Sequence, residues 1–250
     1  MKAVVRISSD QADLKEIVRT AREEGLDVFE PYSARIMKAF PSDQDLQIAA
    51  LLTGKGYFHG RTMASFVRIG KDLRRDEIGW YWLEETKHMD QILPEMVQLQ
   101  RSHKIDQIGI CHSSWDETRQ ARTILHRLNS SLYGVLNRFS LLNRDDEKNG
   151  FLAWCLQTHT AYWAEDLLAD GLDGEEEHLS SLYEVMDRIG QKYGFERRQT
   201  AICWAASRGA VPVVCCQSGA DVKALSQAVS CRLEHDEIIA LEQAADDCQE

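Results

Sequence analysis

The chain has 250 residues, 44% of them hydrophobic, a size that one α/β barrel with a single core accommodates. Its formal net charge of -11, without a long basic run, repels a phosphate backbone and argues against nucleic acid as a partner. No stretch approaches the roughly 18 unbroken apolar residues of a membrane span, and seven cysteines, an odd number without C-x-x-C spacing, exclude a disulfide framework or a zinc cage.

Strand-like apolar runs alternate with helical patterns throughout, as in a parallel α/β fold. The first strand is expected at Lys2 to Ile7. Asp10 to Glu24 follows as a helix: Ala12, Ile17, Val18 and Ala21 form an apolar stripe, Asp10 caps it and Gly25 ends it. Strands two and three fall at Leu26 to Phe29 and Leu46 to Leu52, then a helix at Thr62 to Leu73 and strand four at Ile78 to Leu83. The next helix, His88 to Ser102, contains Pro94, which is disfavoured in a helix interior and points to a later start. Strand five (Gln107 to Cys111), a helix (Trp115 to Leu128), strand six (Leu132 to Leu136), a helix (Arg144 to Gln157) and strand seven (Thr160 to Trp163) continue the alternation. The acidic stretch from Asp170 to Glu177 reads as a solvated loop. Helices at Leu179 to Tyr193 and Arg197 to Arg208 lead to strand eight, Val211 to Cys215, and His235 to Asp247 adds a closing helix. No low-complexity tract or internal repeat divides the chain, so residues 1–250 read as one domain. The start, Met1 to Arg6, lacks the apolar region of a signal peptide, and a cytoplasmic protein is expected.

From Ile78 onward the chain resembles the aldo-keto reductases. Asn137-Arg138-Phe139-Ser140-Leu141-Leu142-Asn143-Arg144 is close to that family's N-x-Y-S-L-L-N-R after strand six. Ile108-Gly109-Ile110 resembles its strand five, Ala161-Tyr162 the start of its AYSPL on strand seven, and Arg208 to Pro212 its entry to strand eight. The stretch from Arg232 to Leu241 is similar to its closing helix. The resemblance implies a (β/α)8 barrel that begins directly at strand one, without the family's N-terminal hairpin, and with shortened loops.

It also implies what carbonyl reduction would need: a Tyr acid, a Lys lowering its pKa, an Asp paired with the Lys, and a His that orients the carbonyl, all at strand ends. Aligned with F-D-T-A-x-x-Y, this chain reads Phe29-Glu30-Pro31-Tyr32-Ser33-Ala34-Arg35, so Glu30 replaces Asp and Arg35 takes the Tyr place, with Tyr32 nearby. Leu51 stands for the lysine and Glu84 for the histidine. A phenol with a pKa near 10 is a poor acid without a neighbouring cation. A shifted alignment instead offers Lys38 or Lys55 as the cation and Tyr32 or Tyr57 as the acid. Of the nicotinamide-binding set only Asn137, Tyr162 and Ser218 are retained; Cys111-His112 replaces a Ser-Asn clamp, and Ala224-Leu225 an adenine-reading Glu-Asn. No cofactor and no metal are therefore expected.

Glu30 and Glu84 are expected at the C-terminal mouth of the barrel, with His112 across it, as an acid-base set in which one carboxyl has a raised pKa. The alternative is that Arg35, Lys87 or His88 pairs with these glutamates at the rim, or that one of the two side chains turns outward to solvent. Cys111 beside His112 is a candidate nucleophile, against the commoner buried thiol, and Glu84, His88 and His112 a weak metal set. Asn137, Tyr162, Trp163, Trp82 and Arg35 are candidate substrate contacts, the aromatics otherwise being core. The leading expectation is a cofactor-independent lyase or isomerase acting on a small molecule, assembled as a homodimer. The alternatives are an NADPH-dependent carbonyl reductase with a rearranged site and a non-catalytic binding barrel, the latter favoured if Trp82 and Trp163 fill the mouth.

Overall fold

The computed structural model describes residues 1–43, 45–52, 58–84, 86–168, 171–172 and 174–249. Eight parallel strands close in sequence order into a barrel. They are β1 (Val4–Ile7), β2 (Val28–Pro31), β3 (Gln47–Leu52), β4 (Ile78–Leu83), β5 (Ile105–Cys111), β6 (Gly134–Arg138), β7 (Ala161–Glu165) and β8 (Val211–Cys215). Around them lie α1 (Leu14–Glu23), α2 (Ala34–Ala39), α3 (Arg61–Leu73), α4 (Met89–Arg101) and α5 (Trp115–Arg127). The circuit continues with α6 (Asp145–Lys148), α7 (Phe151–Gln157), α8 (Ser180–Tyr193), α9 (Arg197–Ser207), α10 (Gly219–Ser230) and α11 (His235–Asp247). This is the expected (β/α)8 architecture.

Side chains alternate across each strand, so every second residue enters the barrel. Val4, Val28, Ala49, Cys111, Leu136 and Val213 form its inner cluster with three tryptophans, Trp80, Trp82 and Trp163. The rings meet at centroid distances of 5.3, 4.7 and 4.6 Å. Such bulk where branched aliphatics are usual requires space opposite, and Gly109 and Gly134 provide it: a Cβ at 109 would lie 2.1 Å from the Trp82 ring, and one at 134 would lie 2.9 Å from both Trp80 and Trp82. Outward strand residues, among them Val5, Phe29, Ile48, Tyr81, Ile110, Val135 and Tyr162, pack under the helices as the main core.

Several boundaries differ from expectation. Asp13, not Asp10, caps α1 through the Glu16 N–H. Pro94 lies inside α4, which starts at Met89 directly after a 3-10 turn at Thr86–His88, so Pro94 does not mark the start of the helix. The helix expected over Arg144 to Gln157 is broken at Gly150, whose φ of 89° no helix allows. Helices α2 and α10 are additional to those expected, and β2, β6 and β7 each run two residues further. Those last residues include Glu30 and Glu165. The acidic stretch includes residues 170 and 173, which lie outside the described set.

Candidate active site at the barrel mouth

Arg6 and Glu30 are register partners on β1 and β2, so their side chains stand side by side on the inner face. Nε of Arg6 donates to Oε2 of Glu30 at 2.5 Å, and its Nη2 lies 2.7 Å from Oε2 of Glu165, the last residue of β7. The second oxygen of Glu165, Oε1, accepts from Nε2 of His112, the residue after β5. A continuous chain, Glu30 to Arg6 to Glu165 to His112, thus crosses the C-terminal mouth where barrels of this kind gather their chemistry.

Burial and pairing set different charges along it. Glu30 is 2% exposed, and burial lifts its carboxyl above the usual range although Arg6 pulls the other way. Burial outweighs that pull: Oε1 of Glu30 is enclosed without a hydrogen-bond partner among the described residues, which favours the neutral form. At Glu165 burial also pushes upward, but the bonds from His112 and Arg6 prevail and hold it below the usual carboxylate value. The bond to Glu165 in turn raises His112 against the effect of its burial, with Glu84 adding to the rise. Arg6 is buried, yet its two carboxylates keep it charged.

Backbone strain coincides with this chain. His112 has φ 50° and Asp166 φ 56°. The other positive-φ residues that are not glycine, Arg74, His103, Asn129 and His159, stand at or just past the ends of α3, α4, α5 and α7, where the left-handed conformation closes a helix. His112 and Asp166 instead follow strands at the mouth, at a cost of about 1 kcal/mol each relative to glycine. The turn aims the His112 ring back over the barrel rather than outward.

A cavity of about 400 Å³ opens over the chain; Arg6, Tyr32, Glu84, His112 and Glu165 border it and Leu51 and Leu136 give it apolar wall. At its rim Arg138 pairs with Asp166 at 3.0 Å. Tyr32 is exposed, with its ring 5.5 Å from the Arg6 guanidinium. Glu84 lies just past β4, exposed, with no hydrogen bond or ion pair among the described residues.

The expected set is thus rearranged. Glu30 and Glu84 do not share one pocket as a carboxylate pair: Glu30 lies beneath Arg6, and the second carboxylate of the buried chain is Glu165. Cys111 is wholly buried among the inner cluster, and burial lifts its thiol well above its ordinary value, so it is held protonated. Trp82 and Trp163 are wholly buried below the mouth rather than lining it. Tyr162 faces the helices, where its hydroxyl donates to Asp146 at 2.6 Å. Asn137 is tied to Ser113 and Asp146. Arg35 points to solvent and pairs with Asp10, and Lys38 with Asp72 on α3. Lys55 and Tyr57 lie outside the described residues. No group of three or more His, Cys, Asp or Glu among the described residues is arranged to hold a metal, Glu84, His88 and His112 included. Among the described residues no helix is long and apolar enough to cross a membrane.

Arg6 and Glu165 escape the sequence reading. Alternation reveals both: with Val4 inside, Arg6 is inside, and with Trp163 inside, Glu165 follows.

Fold and mouth together define a (β/α)8 barrel with its polar groups concentrated at the carboxyl ends of the strands. The chain belongs to the aldo/keto reductase family, whose profile it matches over residues 34–246. That match begins after β2, so Arg6 and Glu30 precede it. No curated protein matches the chain. Among solved structures it is similar in fold to the apo form of Gox0644, with a TM-score of 0.77 at 12% identity, covering 97% of this chain and 89% of that one.

Proposed function

We propose that this barrel catalyses proton transfer without a nicotinamide cofactor, in a dehydration, elimination, isomerisation or cyclisation of a small polar metabolite held at the mouth. The chain from Glu30 through Arg6 and Glu165 to His112 carries this reading. With Nε2 bound to Glu165, His112 offers Nδ1, which has no partner among the described residues, as the atom that takes a proton from substrate. A C–H bond next to a carbonyl breaks, its electron pair moves to the carbonyl oxygen, and the proton goes to Nδ1. Arg6, fixed by two carboxylates and with Nη1 uncommitted among the described residues, stabilises that oxygen. The imidazolium then returns the proton either to a departing hydroxyl, releasing water, or to a neighbouring carbon. Glu165 holds the ring in place and stabilises its charged form.

The fold family implies a dinucleotide, and the residues present do not fit one. Asn137 accepts from the Ser113 N–H at 3.1 Å and donates to the Ser113 carbonyl at 2.9 Å and to Asp146 at 2.8 Å, so its amide is committed. Tyr162 points the other way. At the N-terminus of α10, where a phosphate would settle, the Asp221 carboxylate already accepts from the N–H groups of Gln217 at 2.8 Å and Ser218 at 3.0 Å. Glu16 adds a second carboxylate against Gly219. Like charge opposes a pyrophosphate there.

A second reading, carbonyl reduction with NADPH through a rearranged site, draws on family membership and on Tyr32, a phenol beside the Arg6 cation. The reading as a non-catalytic barrel draws on the tryptophans, which fill the barrel but leave the cavity above them open.

Incubating the protein in D2O with panels of hydroxy and keto acids, amino acids and sugars, without added cofactor, tests the proposal by proton NMR. Wild type exchanges a substrate C–H for deuterium or forms product, and His112→Asn and Glu165→Gln lower that rate by about 100-fold. Turnover in both variants equal to that of wild type sinks it.

A further inference from the structure

The charges around the mouth are not balanced one against one. With Glu30 neutral and His112 in its base form, the cations bordering the cavity among the described residues are Arg6, held by Glu165, and Arg138, held by Asp166. Glu84 is left over: it borders the same cavity from the end of β4, next to the strand that delivers His112, and forms no hydrogen bond or ion pair among the described residues. Beside it the cavity offers the exposed ring of Tyr32 and the apolar side chains of Leu51 and Leu136. An uncompensated carboxylate at the entrance of a partly enclosed cavity attracts a cation and disfavours an anion.

We propose that Glu84 selects substrates that carry an ammonium group on a small apolar body, binding that group at the mouth while His112 and Arg6 face the reacting carbons. This rests on the reaction proposed above for its location, but not for its test. The ammonium donates to Glu84, whose solvent exposure leaves room for the ligand to approach without displacing another partner. The body of the ligand lies on Leu51, Leu136 and the Tyr32 ring, which supplies a face for a cation as it does for Arg6.

Benzylamine, benzyl alcohol and benzoate have the same ring and differ in charge, so they serve as probes. With the His112 ring labelled with 13C in the full-length protein, benzylamine shifts its resonance saturably and lowers its titration midpoint, because a second cation nearby disfavours imidazolium. Benzyl alcohol binds about tenfold more weakly and benzoate more weakly still. Glu84→Gln weakens benzylamine by about tenfold, and Glu84→Asp recovers part of the loss. Equal binding of the three probes, unchanged benzylamine affinity in Glu84→Gln, or no benzylamine binding at millimolar concentration each overturns the inference. Benzylamine binding through Glu84 in a protein without proton-transfer activity would leave the inference standing and remove the proposed reaction. Catalysis through His112 with no preference for the amine would do the reverse.

Discussion

His112 reaches from the end of β5 across β6 to the carboxylate of Glu165 at the end of β7, a bond between residues 53 apart in sequence. It joins the half-exposed imidazole of His112 to the buried Arg6 and Glu30. The proposed chemistry depends on that junction, and so do the pH responses of the protein.

His112 has its titration raised above the ordinary 6.5 by Glu165, and Glu165 has its own lowered below 4.5 by His112 and Arg6 despite burial. The raised histidine contributes stability that is complete below 6.5 and is lost as pH climbs through its folded value; the lowered glutamate contributes above 4.5 and loses its contribution as pH falls through its folded value. The pair therefore stabilises most between those limits. Melting curves of wild type and Glu165→Gln across pH should differ most near pH 5 to 6 and narrow toward alkaline pH to the share that Arg6 maintains. A constant difference across the range contradicts the pairing. In turnover, kcat/KM should rise with pH through a midpoint above 6.5, because the base form of His112 appears only there.

Arg6 is the hinge of the buried chain, and its loss leaves Glu165 enclosed with one partner fewer and Glu30 with none among the described residues. Arg6→Met should destabilise the protein by about 3 kcal/mol in urea unfolding. Glu30→Gln should cost less, about 1 kcal/mol, because burial already favours the uncharged carboxyl. Equal losses from the two changes would mean that Glu30 is fully ionised.

Packing inside the barrel gives a separate test. A Cβ at residue 109 would fall within 2.1 Å of Trp82, so Gly109→Ala should cost about 2 to 3 kcal/mol. Adding Trp82→Phe should cost less than the sum of the two single changes, a coupling measured by a double-mutant cycle. Additive losses would show that the ring and the glycine do not share that space.

Much of the barrel is legible in the sequence because its strands are short apolar runs between helical patterns, and Val211–Cys215 and Ile78–Leu83 have the limits that their composition suggests. Helix α2 is hidden by its six-residue length, too short to display a period. Helix α10 carries a clear start, Ser218 with Asp221 three residues on, but a reading that takes the same run for a cofactor loop passes over it. The site is harder. The expected strand seven stops at Trp163, two residues short of Glu165, so Glu165 is overlooked. The resemblance puts Tyr162 in the pocket, although alternation turns Trp163 and Glu165 inward and Tyr162 toward the helices. Arg6 is a lone charge in Val4–Ile7, visible but without a partner until β2 and β7 are brought beside it.

Strain at the mouth can be relieved where no catalytic group is lost. Asp166 holds φ 56° and pairs with Arg138 at a half-exposed rim, where an ion pair contributes little. Asp166→Gly should raise stability by about 0.5 to 1 kcal/mol in thermal unfolding. A loss of similar size would show that the rim pair outweighs the backbone cost.

A barrel mouth that moves protons rather than hydride, as proposed, has no use for a nicotinamide cofactor. Titrating the full-length protein into NADPH and following cofactor fluorescence tests this most directly. With Asn137 committed to Ser113 and Asp146, and with Asp221 at the head of α10, no saturable change is expected up to millimolar protein. A saturable shift with a micromolar Kd, lost in Tyr32→Phe or on recharging that helix end, would contradict the account.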